Sequence, residues 1–213
     1  MRILNLYAGI GGNRKLWAGH DITAVEYDPN IAAAYATFHP DDELIVGDAH
    51  KYLRLHHHEF DFIWSSPPCQ THSSIRYNLQ VKLRGAEEKY PDMTLYEEVL
   101  FLQYHSTAKW VVENVVPYYN GGQPLIPATR INRHLYWANF TLPALPVLRE
   151  NLRAIQIPEL EQLHGFDLSG FNIPNKRQVL RNCVPPETGL RILEAAFAPQ
   201  PDGPALFDLE VPA

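Results

Sequence analysis

Short apolar runs alternate with helix-like segments through the first half of the chain, and this alternation restricts the possible folds more than any other feature. Apolar runs at 2–7, 22–26, 43–46, 60–64 and 110–115 predict five buried strands. Helix-like patterns at 13–17, 29–38 and 94–105 lie between them. Strands that alternate with helices form a parallel sheet with right-handed crossovers. The sequence therefore predicts a doubly wound α/β domain.

The second half of the chain is less regular. It predicts a strand at 134–140 and helices at 158–164 and 187–197. With 213 residues, 46% of them apolar, the chain is long enough for one well-packed domain. We expect a single domain over 1–198 and a flexible tail over 199–213, because that tail holds four prolines, three acids and no basic residue.

Composition excludes several classes of protein. Two cysteines give no disulfide framework, the N-terminus lacks the pattern of a signal peptide, and no run approaches the roughly 20 apolar residues of a membrane span. The net charge of −6 argues against a strongly basic nucleic-acid coat protein but leaves local basic patches open. We therefore expect a soluble, intracellular protein.

A glycine-rich loop and two acids follow the first three predicted strands. Gly9 and Gly11-Gly12 come after the first strand, Glu26 ends the second, and Asp48 follows the third. Carboxyl ends of parallel strands share one edge of the sheet, where glycines admit a nucleoside and acids accept bonds from ribose hydroxyls. Since no extended phosphate-binding loop is present, a cofactor without phosphates is favoured. A simple tight turn at the glycines is the alternative.

Two further residues at strand ends suggest covalent chemistry. Cys69 follows Pro67-Pro68 after the fourth strand, where it could act as a nucleophile. Glu113 ends the fifth strand, where enclosure would raise its pKa and suit it to donate a proton. The alternatives are a buried inert cysteine and an acid that caps a turn.

Seven motifs occur in an order typical of one enzyme family. They are LNLYAGIGG, VEYDP, GDAH, SSPPCQTHS, TLYEE, VVENV and RQVLRNCVPPETG. Together, over about residues 2–197, they resemble the S-adenosylmethionine-dependent DNA cytosine carbon-5 methyltransferases, and most of all the small phage and prophage members. The resemblance implies a Rossmann-like class I methyltransferase fold, S-adenosyl-L-methionine as cofactor and S-adenosyl-L-homocysteine as product. It also implies DNA as partner, neither metal nor membrane, and the cytoplasm of a bacterium or phage-infected cell.

The resemblance also assigns catalytic roles. The Cys69 thiolate adds to carbon 6 of a cytosine flipped out of duplex DNA, which makes carbon 5 nucleophilic. Glu113 assists as an acid at ring N3. The family's Q-x-R-x-R motif is not intact, and Arg133 is our choice for the arginine near the cytosine O2, with Arg130 as the alternative.

Binding residues carry over by the same resemblance. The cofactor-binding positions are Tyr7, Ala8, Gly9, Gly11, Gly12, Glu26, Tyr27, Asp48, Ala49, Pro67, Leu95, Asn182 and Val184. The substrate-binding positions are Pro68, Gln70, Ser73, Arg76, Asn114 and Arg130. The family usually has phenylalanine at Tyr7 and glycine at Arg181.

The region that would read the DNA sequence is very reduced. Only 141–156 separates the arginine motif from the last motif, whereas larger members of the family carry a long variable region there. Because reading base edges needs several positioned side chains, we expect a short or relaxed recognition sequence, or readout supplied by a protein partner. Methylation of tRNA by the same chemistry and a non-catalytic DNA-binding role are the alternative functions.

Three remaining features are expected to have no part in catalysis. The run His56-His57-His58 has no cysteine beside it and, on a helix, would point in different directions, so no metal site is predicted. His72 is interpreted as a loop residue or phosphate contact. Cys183 is interpreted as a small packed residue.

Overall fold

The computed structural model describes residues 1–73, 90–145 and 155–199. The strands are β1 (Arg2–Leu6), β2 (Asp21–Glu26), β3 (Glu43–Val46), β4 (Phe62–Ser65), β5 (Lys109–Val115), β6 (Thr129–Ile131) and β7 (His134–Ala138). The helices are α1 (Pro29–Phe38), α2 (Ala49–His56), α3 (Thr94–His105), α4 (Ile157–His164), α5 (Lys176–Asn182) and α6 (Pro186–Phe197).

All seven strands form one mixed sheet in the order β3-β2-β1-β4-β5-β7-β6. The first five are parallel, whereas β7 runs antiparallel to both β5 and β6. This confirms the predicted doubly wound, mostly parallel sheet. The chain moves outward in opposite directions from β1 and from β4, so the sheet has its switch point between these two strands. Open α/β sheets bind ligands at the carboxyl ends of the strands beside such a point.

Alternating strand residues supply two apolar cores. Ile63 and Trp110 pack on one face of the sheet with Leu53 of α2 and Leu102 of α3. Phe62, Trp64 and Val111 pack on the other face with Trp17 and with Ile192 of α6. Burial of both faces explains why β4 and β5 are continuous apolar runs in the sequence.

One predicted element was wrong, and three were missed. Residues 13–17 form turns rather than a helix, because Gly189 of α6 lies directly against the Asn13 carbonyl and holds this segment close to the sheet. The missed elements are α2, α5 and β6, which are only 8, 7 and 3 residues long. α5 and β6 carry too few apolar positions to show a period, whereas α2 has a helical period at Ala49, Tyr52 and Leu53 that the sequence reading overlooked.

Several absences apply to the described residues only. None of their helices is both long and apolar enough to cross a membrane. They contain no group of three or more histidine, cysteine, aspartate or glutamate side chains arranged to hold a metal ion. The division into a domain over 1–198 and a flexible tail stays a prediction, since residues 200–213 lie outside the described ranges.

Candidate active site

A cleft of about 510 Å³ opens at the carboxyl ends of the central strands. Its walls come from the loops after β1, β2, β4 and β5, from the β6–β7 hairpin, and from residues 179–184. Its position beside the switch point is where the topology alone would place a ligand.

The glycine loop after β1 forms one wall of the cleft. Tyr7, Gly9 and Gly11 have positive φ angles of 54°, 58° and 79°. The Gly9 amide donates to the Glu26 carboxylate at 2.8 Å, which fixes the loop to the end of β2. A Cβ atom at Gly9 would meet nothing within 4 Å, so the backbone here is open to the cleft.

The hydroxyl of Tyr7 is anchored below this loop. It donates to Glu98 of α3, a completely buried carboxylate that also accepts from Ser65 at 2.6 Å and contacts His50 Nδ1 at 3.1 Å. Burial, followed by the charge of Glu98, raises the pKa of Tyr7, so the phenol keeps its proton. A phenylalanine could not make this contact, and Glu98 supplies the acceptor that a tyrosine here requires.

Cys69 lies in a tight turn after β4. The Cys69 carbonyl accepts from the amides of His72 and Ser73, both at 3.0 Å. Just before it, the Pro67 carbonyl accepts from the Asn114 side chain at 2.9 Å, which ties this loop to the end of β5. Burial and then the Glu113 charge raise the pKa of Cys69 to about 11, while Arg133 acts in the opposite direction.

Glu113 is 8% exposed and faces the same cleft. Pairing of β5 with β7 places Tyr136 opposite it and brings His134 Nδ1 to 3.7 Å from its carboxylate. Burial lowers the pKa of His134 although Glu113 opposes this, so the imidazole is neutral at neutral pH. The pair is therefore a carboxylate beside a neutral imidazole.

Arg133 reaches the site from the β6–β7 hairpin turn. The two-residue turn is made by Asn132, with φ of 56°, and Arg133 itself; asparagine adopts this conformation more readily than most residues. Arg133 Nη2 donates to the Arg181 carbonyl at 2.8 Å. The pKa of Arg133 is lowered, because burial outweighs the opposing effect of the Glu113 charge. The guanidinium still stays charged at physiological pH.

The segment after α5 closes the far wall. Asn182 and Val184 line the cleft, and Cys183 is buried against Gly12, where any Cβ atom would overlap its sulfur. Burial raises the pKa of Cys183 to about 12, so this thiol is protonated at neutral pH. Glycine at position 12 is therefore required for Cys183 and Val184 to pack against the glycine loop.

Most of the predicted site residues meet in this cleft. Those that line it are Cys69, Glu113 and Arg133 from the catalytic set; Tyr7, Ala8, Gly9, Gly12, Glu26, Tyr27, Pro67, Asn182 and Val184 from the cofactor set; and Pro68, Gln70, Ser73, Asn114 and Arg130 from the substrate set. Their roles stay predictions. Arg76 lies outside the described residues.

Four predicted cofactor residues do not line the cleft. Gly11 packs against Tyr35 and His39. Asp48 caps α2 by accepting from the Lys51 amide at 3.0 Å, and Ala49 and Leu95 are buried in the core. Gly11, Ala49 and Leu95 are buried, whereas Asp48 is exposed at the start of α2, and the cofactor roles of all four stay predictions.

Sequence reasoning missed other residues that line the cleft. Buried Asn5 of β1 and Asn13 exchange side-chain hydrogen bonds of 2.8 and 3.4 Å, which join the strand to the end of the glycine loop. His134 lies beside Glu113. An asparagine inside an apolar run was the available signal for the first pair, whereas His134 is recognisable only from the β5–β7 pairing.

Comparison with solved structures supports the fold. The Entamoeba histolytica methyltransferase EhMeth aligns over 92% of this chain and 98% of its own, with a TM-score of 0.52 and 11% identity. A Spodoptera frugiperda DNMT2 mutant (22% identity, TM-score 0.36) and a putative DNA modification methyltransferase from an E. coli prophage (20%, 0.36) align over 54% and 57% of this chain. The matches span 35% of each of those two chains.

Comparison with curated proteins gives no significant match. The model of the C-5 cytosine-specific DNA methylase family matches residues 1–117, more than half of the chain, and includes the glycine loop, Cys69 and Glu113. The chain belongs to the C-5 cytosine-specific DNA methylase family.

Proposed function

We propose that this protein transfers a methyl group from S-adenosyl-L-methionine to carbon 5 of cytosine in DNA. The observation that carries the proposal is that Cys69 from the loop after β4, Glu113 from β5 and Arg133 from the β6–β7 turn line one cleft together with the glycine loop. Family membership supports the same chemistry.

The residues of the cleft fit this cofactor. Gly9 leaves open space, the Glu26 carboxylate retains acceptor positions beyond the two amides it binds, and Tyr27 is 78% exposed beside it. A carboxylate can accept about four hydrogen bonds, which leaves capacity for ribose hydroxyls. The cleft volume lies within the usual 300–1,000 Å³ of small-molecule sites. Bound there, the cofactor supplies an electrophilic methyl group.

The cytosine ring is proposed to enter between Cys69 and Glu113. Cytosine carbon 5 is a poor nucleophile, and addition of the Cys69 thiolate to carbon 6 makes it reactive. Glu113 holds the proton at ring N3, and the Arg133 guanidinium stabilises negative charge at O2. Carbon 5 would then take up the methyl group that the cofactor supplies, and loss of the carbon-5 proton with expulsion of the thiolate would restore the aromatic ring.

The charges of the site control when the thiolate forms. With its pKa near 11, Cys69 is a thiol at neutral pH in the absence of substrate. When a proton taken up from solvent is shared between Glu113 and ring N3 of the cytosine, the carboxylate charge that opposes the thiolate is neutralised. We therefore expect thiolate formation to be coupled to correct insertion of the base.

The short segment 141–156 favours a short or relaxed recognition sequence. Of its residues, 146–154 lie outside the described ranges, so readout rests on the sequence argument. Arg130 and Arg133 stand at the mouth of the cleft and would contact the phosphate backbone or the base.

The test is transfer of labelled methyl to duplex DNA, single-stranded DNA and tRNA, with Cys69→Ser beside the wild type. Label on duplex DNA that is lost in Cys69→Ser supports the proposal, and sequencing of the modified cytosines gives the site. Label on tRNA alone would assign the protein to RNA methylation. No label on any substrate, with the cofactor still bound, would refute catalysis by this chain alone.

A further inference from the structure

His72 follows Cys69 by three residues, but it is not a surface residue. Its side chain is 1% exposed, so the interpretation as a phosphate contact was wrong. Nε2 lies 2.9 Å from the Asp92 carbonyl, and Nδ1 lies 2.8 Å from the Tyr119 hydroxyl. Both ring nitrogens are therefore engaged, and neither is directed to the Cys69 sulfur.

These contacts belong to a chain of hydrogen bonds with a determined direction. The Tyr119 hydroxyl lies 2.9 Å from the Tyr96 hydroxyl, which accepts from the Leu125 amide at 3.1 Å. The Asp92 carbonyl can only accept, so Nε2 of His72 carries the proton, and in the neutral ring Nδ1 must accept. Tyr119 then donates to His72, and Tyr96 donates to Tyr119.

The surroundings keep His72 and Tyr119 in the required protonation state. Burial lowers the pKa of His72, so the imidazole is neutral at neutral pH. Burial also raises the pKa of Tyr119, so its hydroxyl keeps the proton that it donates. Protonation of His72 would place a second donor against the Tyr119 hydroxyl and reverse the direction of that bond.

These hydrogen bonds connect the loop that carries Cys69 to the segment after β5, the strand that carries Glu113. The His72 amide donates to the Cys69 carbonyl, and the Tyr118 amide donates to the His72 carbonyl, both at 3.0 Å. Ser73 forms a β-bridge with Pro117. His72 thus fixes the turn of Cys69 to the segment that follows β5, the strand that carries Glu113.

We propose that His72, held as the Nε2–H tautomer by the Asp92 carbonyl and hydrogen-bonded at Nδ1 by Tyr119, is a positioning residue that sets the Cys69 turn relative to Glu113. This rests on the proposed function, because positioning matters only if the two side chains act on one base. Displacement of about 1 Å at a reacting group can reduce a rate about a hundredfold. Tyr119→Phe keeps the ring, removes one donor, and is expected to reduce kcat about tenfold with little change in the KM for S-adenosyl-L-methionine.

Tyr104→Phe is the matched control. It removes the same hydroxyl from a tyrosine that is 72% exposed on α3. Wild type and both variants are compared by methyl transfer to DNA, by thermal unfolding, and by the rate at which iodoacetamide alkylates Cys69. If Tyr119→Phe does not fold, Tyr96→Phe is used in its place, because it removes the hydroxyl that donates to Tyr119. A purely structural role would lower Tm but leave the kcat of the folded fraction equal to that of Tyr104→Phe, and this would overturn the proposal.

Two readouts do not depend on methyl transfer. In ¹⁵N spectra, the histidine resonances that disappear in His72→Gln should show a neutral Nε2–H ring, and an Nδ1–H ring would overturn the proposal. Alkylation of Cys69 should change at least threefold in Tyr119→Phe and stay unchanged in Tyr104→Phe. If wild type transfers no methyl group, the proposed function fails, and these two measurements still decide whether His72 positions Cys69.

Discussion

Glu113 should hold the Cys69 thiol in its protonated form. The pKa of Cys69 is raised from 9.0 to about 11, first by burial and second by the Glu113 carboxylate. At pH 8 a thiol with this pKa is about 0.1% thiolate, against about 9% at the ordinary value. Removing the carboxylate charge in Glu113→Gln should therefore lower the pKa of Cys69 part of the way back toward 9.0.

The magnitude follows from the balance of causes. A neighbouring charge shifts a pKa by about one unit or more, and burial remains in the variant, so we expect a fall of about one unit with the pKa still above 9.0. One unit gives about ten times more thiolate. Since nucleophilicity falls with pKa with a coefficient of about 0.4–0.5, the thiolate becomes about threefold less reactive. Alkylation of Cys69 at pH 8 should become about three times faster.

The assay is iodoacetamide labelling from pH 7 to 10.5, followed by intact mass. Cys183 is the other free cysteine, and its reactivity is measured separately in Cys69→Ser. Arg133→Gln serves as the opposite variant, because loss of the guanidinium should raise the pKa of Cys69 and slow alkylation. Glu113→Gln should combine faster alkylation with loss of methyl transfer.

Two results would refute this reasoning. The first is an unchanged alkylation profile in Glu113→Gln, which would mean that the carboxylate does not act on the thiol. The second is a wild-type Cys69 that titrates below 9, which would mean that the free site already favours the thiolate.

Three further predictions concern stability. Gly189→Ala should lower the free energy of unfolding by about 1–3 kcal/mol, since its Cβ atom would overlap the Asn13 carbonyl; urea unfolding at pH 7 measures this, and an unchanged midpoint would contradict the packing. Asn114→Ala removes the buried bond to Pro67 and should destabilise by about 1–3 kcal/mol while lowering kcat, and normal kcat would argue against a positioning role. Burial, the first cause, lowers the pKa of His164 to about 4 from 6.5, so the unfolded chain binds the proton first as pH falls. The free energy of unfolding of the wild type should then fall by about 2 kcal/mol by pH 5 because of this residue. In urea unfolding between pH 7 and 5, the free energy of unfolding of His164→Phe should fall by correspondingly less. An equal fall in both proteins would refute the assignment.

The presence and the parallel direction of the first five strands could be predicted from the sequence, whereas their order in the sheet comes from the structure. Apolar runs that are buried on both faces, such as 110–115, are long enough to be recognised and end in informative residues. The segment 13–17 was misjudged because Arg14, Lys15 and Leu16 are good helix formers, whereas its conformation is set by α6, far along the chain. Such tertiary contacts override local propensity.

Some residues of the candidate site could likewise be predicted from the sequence, and others could not. Gly9, Glu26, Cys69 and Glu113 each end a strand or follow one, and parallel strands bring those ends together. Glu98 lies in a helix and Asn13 in a loop, where nothing in the local sequence distinguishes them from surface polar residues, whereas Asn5 inside the apolar run of β1 was a signal. His72 could be noticed beside Cys69, but its hydrogen-bond partners come from residues 92 and 119.

The antiparallel strand β7 completes the charge balance of the site. It is paired to β5 at Glu113, and its preceding turn carries Arg133, so a cation and a carboxylate that lie 20 residues apart in sequence act on the same thiol. The carboxylate raises the pKa of Cys69 and the guanidinium lowers it. A base that neutralises Glu113 would leave Arg133 unopposed and shift this balance toward the thiolate. Under the proposed function, the mixed sheet would keep Cys69 inactive as a nucleophile until a base that can share a proton with Glu113 is in place.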